Sequence, residues 1–155
     1  MSRINFGRVI VGGIVAGLLC FFGDGIVHGV LLKPRWAETM AALGRTAAGD
    51  VGRRDFQYFL IYDLLKGLLA VWLYAAMLPR FGRGAVTALA AAFTVWLLVI
   101  PAPVIGLLPM RFFGARLAVL WSLYGLVPIV IGTLAGAALY REPAATAAQS
   151  PLRRA

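Results

Sequence analysis

The chain has 155 residues, of which 61% are apolar and 14% charged, with a formal net charge of +9 and a single cysteine. That apolar share lies far above the soluble-protein average, and one thiol excludes an intrachain disulfide and any cysteine metal cluster. The positive charge does not point to nucleic acid: nearly all Lys and Arg residues flank apolar runs instead of forming the coherent basic patch that such a partner requires.

Four apolar runs, 9–32, 56–78, 86–108 and 117–140, organise the chain. About 20 apolar residues are enough to cross a bilayer as a helix, whereas barrel strands read as alternating segments of about ten. The sequence therefore predicts an all-α polytopic membrane protein. Its single domain, over 1–141, is a four-transmembrane-helix bundle with a short amphipathic surface helix between the first and second spans. An Ala- and Pro-rich tail over 142–155 is expected to be disordered.

The first run opens behind Arg3 and Arg8 in the manner of a signal peptide. It is too long for a secretory apolar segment and no clean small-residue cleavage site follows, so the helix is expected to be retained. At 100° per residue, Gly13, Gly17, Cys20, Asp24 and His28 share an arc of about 80°. One stripe thus holds a small-residue half and a polar half, with Cys20 as a small packing residue. Gly13/Gly17 and Gly25/Gly29 each have the four-residue spacing that lets helix backbones approach closely. Gly132 and Gly136 repeat it in the fourth run.

In the long connection 33–55, Trp36, Met40 and Leu43 are spaced four and three apart, which makes one apolar helical face. Pro34 sits near its start and Gly44 can stop it. The expected element, over 36–43, lies on the membrane surface with Trp36 at headgroup depth.

On the second run Asp63, Lys66, Gly67, Ala70, Tyr74 and Met77 again share an arc of about 80°. Counted from the long-connection end at about 1.5 Å per residue, His28 lies roughly 6 Å deep, Asp63 roughly 10 Å, Asp24 roughly 12 Å and Lys66 roughly 15 Å. Antiparallel neighbours would bring Asp24 level with Lys66, and His28 nearly level with Asp63. Charges inside an apolar run are expensive and pair within the bundle. The expected site is accordingly a polar network of Asp24, His28, Asp63, Lys66 and Tyr74. It serves either to fix register, as buried ion pairs often do, or as a ligand, proton or ion site. No metal is expected, because one His and two Asp fall short of an ordinary zinc set.

The third run has little polar content beyond Thr87 and Thr94, and it ends with Pro101-Ala102-Pro103, on the side of the polar cluster. Proline there either ends or kinks the helix; in transporters such breaks expose backbone to a binding cavity. Pro128, with Ser122 and Tyr124 before it, poses the same question in the fourth run. No phosphate loop, Ser-His-Asp layout or HExxH motif is present. Catalytic residues are unknown, no cofactor is expected, and the reading leans away from an enzyme. A membrane-embedded enzyme or redox-cofactor binder would rest on little beyond His28, Tyr62 and Tyr74.

With four spans, seven basic residues fall on each side of the membrane, so their balance decides nothing. Arg3 and Arg8 precede the first helix closely, which favours both termini in the cytoplasm. A dual-topology dimer is the alternative.

Ile4-Asn5-Phe6, the glycine-rich first run leading into Leu32-Lys33 and Trp36, Pro79-Arg80-Phe81-Gly82 and Tyr140-Arg141-Glu142 together resemble a family of small bacterial four-helix integral membrane proteins. The resemblance covers most of the chain. It implies a bacterial cytoplasmic membrane and four helices, and it transfers no activity and no site residue. The expected function is an accessory, structural or partner-binding bundle that packs with itself or a membrane-protein partner in the lipid bilayer. The alternative is a small carrier or proton-coupled conduit using the Asp/His/Lys cluster.

Overall fold

Asn5 starts the first helix: its side-chain oxygen accepts the Arg8 backbone N–H at 3.2 Å, satisfying one of the donors that a helix start leaves free. The computed structural model describes residues 4–44 and 53–140; the tail expected over 142–155 lies outside them. The chain runs through α1 (Phe6–Ile26), a π-helical turn (Val27–Leu31), α2 (Lys33–Ala42), α3 (Arg53–Phe81), α4 (Ala85–Val99), α5 (Pro101–Leu107), a 3₁₀ turn (Leu108–Met110) and α6 (Ala115–Leu139). No strand occurs among the described residues. Among the described residues, four helical stretches are long and apolar enough to cross a membrane: Phe6–Leu31, Phe56–Phe81, Ala85–Met110 and Ala115–Leu139.

The helix expected over 36–43 is present as α2, beginning three residues earlier with Pro34 in its first turn. Proline is tolerated there because the first N–H groups have no partner in any case. Gly44 and Gly82 follow α2 and α3 at φ 69° and 75°, the left-handed conformation in which glycine commonly ends a helix. The proline pair of the third stretch does not terminate it. Ile100 leaves helical geometry at φ −121°, ψ −72°, and the helix restarts at Pro101 for seven residues. Both prolines lie where their missing N–H interrupts the ladder; Pro101 then serves as a first helical residue.

α1 lies against α3 and α6, α4 lies against the same two, and α3 touches α6 across the middle. Close approaches at Gly17/Leu64, Gly13/Leu68 and Gly12/Val71 run in opposite chain directions, so α1 and α3 are antiparallel. Gly23/Pro128, Gly132/Ala16 and Gly136/Gly12 show the same for α1 and α6. Small residues dominate the core: Ala16, Ala70, Ala75, Ala88, Ala91, Ala92, Ala118 and Ala137 are buried, whereas Phe22, Val30 and Val86 are exposed. This reverses the usual preference of large apolar side chains for the interior. It is the packing expected where helices associate by close backbone approach.

Candidate functional site

Glycine sets the distance between α1 and α3. A Cβ added to Gly67 would lie 2.2 Å from the Gly17 nitrogen, and one on Gly17 would lie 2.6 Å from the Leu64 Cα. With backbones this close, the short Asp24 side chain reaches across two turns further along α1. The Lys66 ammonium donates to Asp24 Oδ2 and forms an ion pair with Asp63 Oδ1, one turn back on its own helix. The Lys66 and Asp63 side chains are only 2% and 4% exposed, against 15% for Asp24.

The stoichiometry is unequal. Two carboxylates flank one ammonium, which leaves one negative charge in surplus when all three groups are ionised. Asp24 Oδ1 and Asp63 Oδ1 are buried without a hydrogen-bond partner. Asp63 Oδ1 has the Lys66 ammonium as its ion-pair partner, so Asp24 Oδ1 is the atom of the cluster left without one. A buried polar atom left in this state calls for an explanation such as a functional role or an absent ion.

Tyr62 completes the cluster. It precedes Lys66 by one helical turn, and the ammonium stands 4.9 Å from its ring centroid, within cation–π range. Its hydroxyl donates to the Val99 carbonyl at 3.0 Å. That carbonyl has lost its helical donor, because the residue four positions on is Pro103. The charged cluster is thereby tied to the break between α4 and α5. Sequence reasoning left Tyr62 out of the network, although its signal was there: an i, i+4 spacing to Lys66 and a carbonyl freed by proline.

Two expected members make their direct contacts elsewhere. His28 does not pair with Asp63; its Nδ1 accepts the Trp36 indole N–H at 3.0 Å, and its ring meets Trp121 edge-to-face at 5.6 Å. His28 lies at the start of the π-helical turn Val27–Leu31, where regular α-helical spacing ends. α2 then folds back and supplies Trp36. Tyr74 is buried against Tyr140, their rings edge-to-face at 6.2 Å. Eight residues beyond Lys66, it lies about 12 Å along the helix, on the same stripe but at the other end.

Two clefts flank the bundle. One of about 370 Å³ lies between α2 and the turn before α6, lined by Trp36, Thr39, Met40, Leu43, Phe112 and Phe113. The other, of about 270 Å³, is lined by Tyr74, Arg83 and Leu134 among others. Neither is lined by Asp24, Asp63 or Lys66. Among the described residues, no group of three His, Cys, Asp or Glu side chains is placed to hold a metal ion.

No protein-family model matches the chain, and no curated protein or solved structure matches it either. The reading of the site rests on its geometry.

Proposed function

We propose that the four long helices cross a lipid bilayer, that of a bacterial cytoplasmic membrane with both termini on the cytoplasmic side. On this reading the bundle is a small proton-coupled conduit or carrier whose working group is Asp24–Lys66–Asp63. The observation that carries it is the surplus carboxylate. A register-fixing pair needs one carboxylate for one ammonium, and a second buried one adds a charge that the single ammonium does not balance, while Asp24 Oδ1 stays without a donor. Each unsatisfied buried acceptor costs about 1–3 kcal/mol. Ionisable side chains within membrane helices mark ion and proton pathways by default. One proton held by the two carboxyls balances the charge and supplies a missing donor. Asp24, the more exposed of the two, is the point of exchange.

The test is proton flux in vesicles holding the purified protein and a pH-sensitive dye. The wild-type protein should dissipate an imposed pH gradient faster than protein-free vesicles, and Asp63→Asn should abolish the difference while remaining helical and monodisperse. Wild-type flux no faster than in empty vesicles overturns the proposal.

The glycine-locked contacts of α1 with α3 and α6 favour a second reading, an accessory bundle that binds itself or another membrane protein. Added Cβ atoms at Gly25 and Gly29 would meet nothing within 4 Å, which leaves that face open to another helix. On this reading, cross-links from the Gly25 face yield one discrete adduct, and the flux assay is silent.

A further inference from the structure

α2 is attached to the bundle chiefly through one residue. None of its ten residues is buried, and it packs on the π-helical turn that joins it to α1. Trp36 is the exception in kind: it belongs to the aromatic cluster with Phe113 and Trp121 against Val27, Leu32 and Leu117. Its ring meets Trp121 at 5.6 Å and His28 at 5.8 Å. Its indole N–H is committed to His28 Nδ1 at 3.0 Å.

That bond fixes the chemistry of His28. An indole N–H donates and never accepts, so the ring nitrogen facing it carries a lone pair and the imidazole is uncharged. A proton added at Nδ1 would set donor against donor. Trp121 and Trp36 would both still offer the imidazolium a ring, at 5.6 and 5.8 Å, but only the Trp36 contact would also set one N–H against another. The element released would be α2. The charged groups that act on His28 are Asp24, one turn earlier on α1, and Lys66 from α3. From α2 and α6 it meets Trp36 and Trp121, neither of which carries a charge.

We infer that the Trp36–His28 bond is a proton-sensitive latch, which holds α2 over the end of the bundle nearest the Asp24–Lys66–Asp63 cluster and releases it when His28 is protonated. The inference rests on the proton-coupled reading of that cluster, whose access it would regulate. His28 lies between α2 and Asp24 in the chain, so opening the latch would bring solvent one turn closer to the exchange point.

Met40 and Phe112 line the same cleft from opposite sides, which makes them reporters of α2. Spin labels at Met40→Cys and Phe112→Cys, in a Cys20→Ala background reconstituted in nanodiscs, should give one short distance at about pH 8. At about pH 5, across the range in which an imidazole titrates, the distribution should broaden and lengthen. His28→Phe keeps a ring without an acceptor and should show the long distribution at both pH values. Should that variant not fold, Trp36→Phe, which removes the donor, should do the same. A wild-type distance that does not change with pH overturns the latch, as does a pH shift that persists in either variant. The distance is read without flux, so a failed latch leaves the cluster reading intact, and failed flux leaves the latch measurable.

Discussion

The Tyr62 hydroxyl donates to the Val99 carbonyl at 3.0 Å, the very acceptor that Pro103 leaves without a helical donor. A tyrosine of α3 thus does for the third long helix what its own backbone cannot. Tyr62→Phe should lower stability by about 0.6 kcal/mol, the average for a hydrogen bond between membrane helices. Hydrogen exchange should rise at Ile100 and Val104 more than at Ala91 or Ala92. Unchanged exchange at the break would show that the bond holds nothing in place.

Pro103→Ala restores the missing N–H and gives Val99 a second donor. In that background Tyr62→Phe should cost less than in the wild type, so the two changes should be non-additive, as for residues that share one partner. Additive losses in a double-mutant cycle would separate the tyrosine from the proline.

The cluster should respond unequally to the loss of its members. Lys66→Met leaves two carboxylates buried without a cation and should cost about 3–5 kcal/mol, the usual loss when one partner of a buried pair is removed. Asp63→Asn leaves one carboxylate for one ammonium and should stay within about 1 kcal/mol of the wild type. Asp24→Asn also leaves one carboxylate for one ammonium and should cost less than Lys66→Met, whereas Asp24→Asn with Lys66→Met strands Asp63 alone and should recover only part of the Lys66→Met loss. Unfolding in denaturing detergent measures all four, and equal losses for Asp63→Asn and Lys66→Met would contradict the surplus-charge description.

How far the sequence led can be judged from these residues. Asp24 and Lys66 were placed together by depth and by facing arcs, both of which follow from regular helix geometry and hold as long as the helix is regular. His28 lies where the regularity stops, in a π-helical turn that no spacing rule announces. Its partner comes from α2, whose fold-back direction depends on tertiary packing. Tyr74 shares an arc with Lys66 but not a depth, and a stripe alone does not tell one end of a helix from the other. The proline pair was legible as an interruption. That α5 continues beyond it depends on Tyr62 and on Ile100 packing beside Gly125, neither of which is local information.

The glycines should divide sharply. A Cβ at Gly67 would lie 2.2 Å from the Gly17 nitrogen and 2.4 Å from the Gly13 oxygen, both backbone atoms that cannot swing aside. Gly67→Ala should therefore cost at least the 1–3 kcal/mol or so typical of overpacking. Gly25→Ala meets open space and should gain about 0.5–1 kcal/mol from reduced backbone freedom in the unfolded chain. If the two substitutions behaved alike, the close approach of α1 and α3 would be wrong.

That approach has a mechanical consequence. Where Gly17 rests on Gly67, no side chain stands between the two backbones to change rotamer and absorb a displacement. α1 and α3 can move relative to one another only by separating their peptide planes, and the Lys66 ammonium straddles both. The pair behaves as a keel. Compliance resides on the far side, where Ile100 already departs from helical torsion angles and one hydroxyl from Tyr62 bridges the gap. A motion in this protein would bend α5 about that hinge, with α1, α3 and the glycine-locked α6 as its fixed frame.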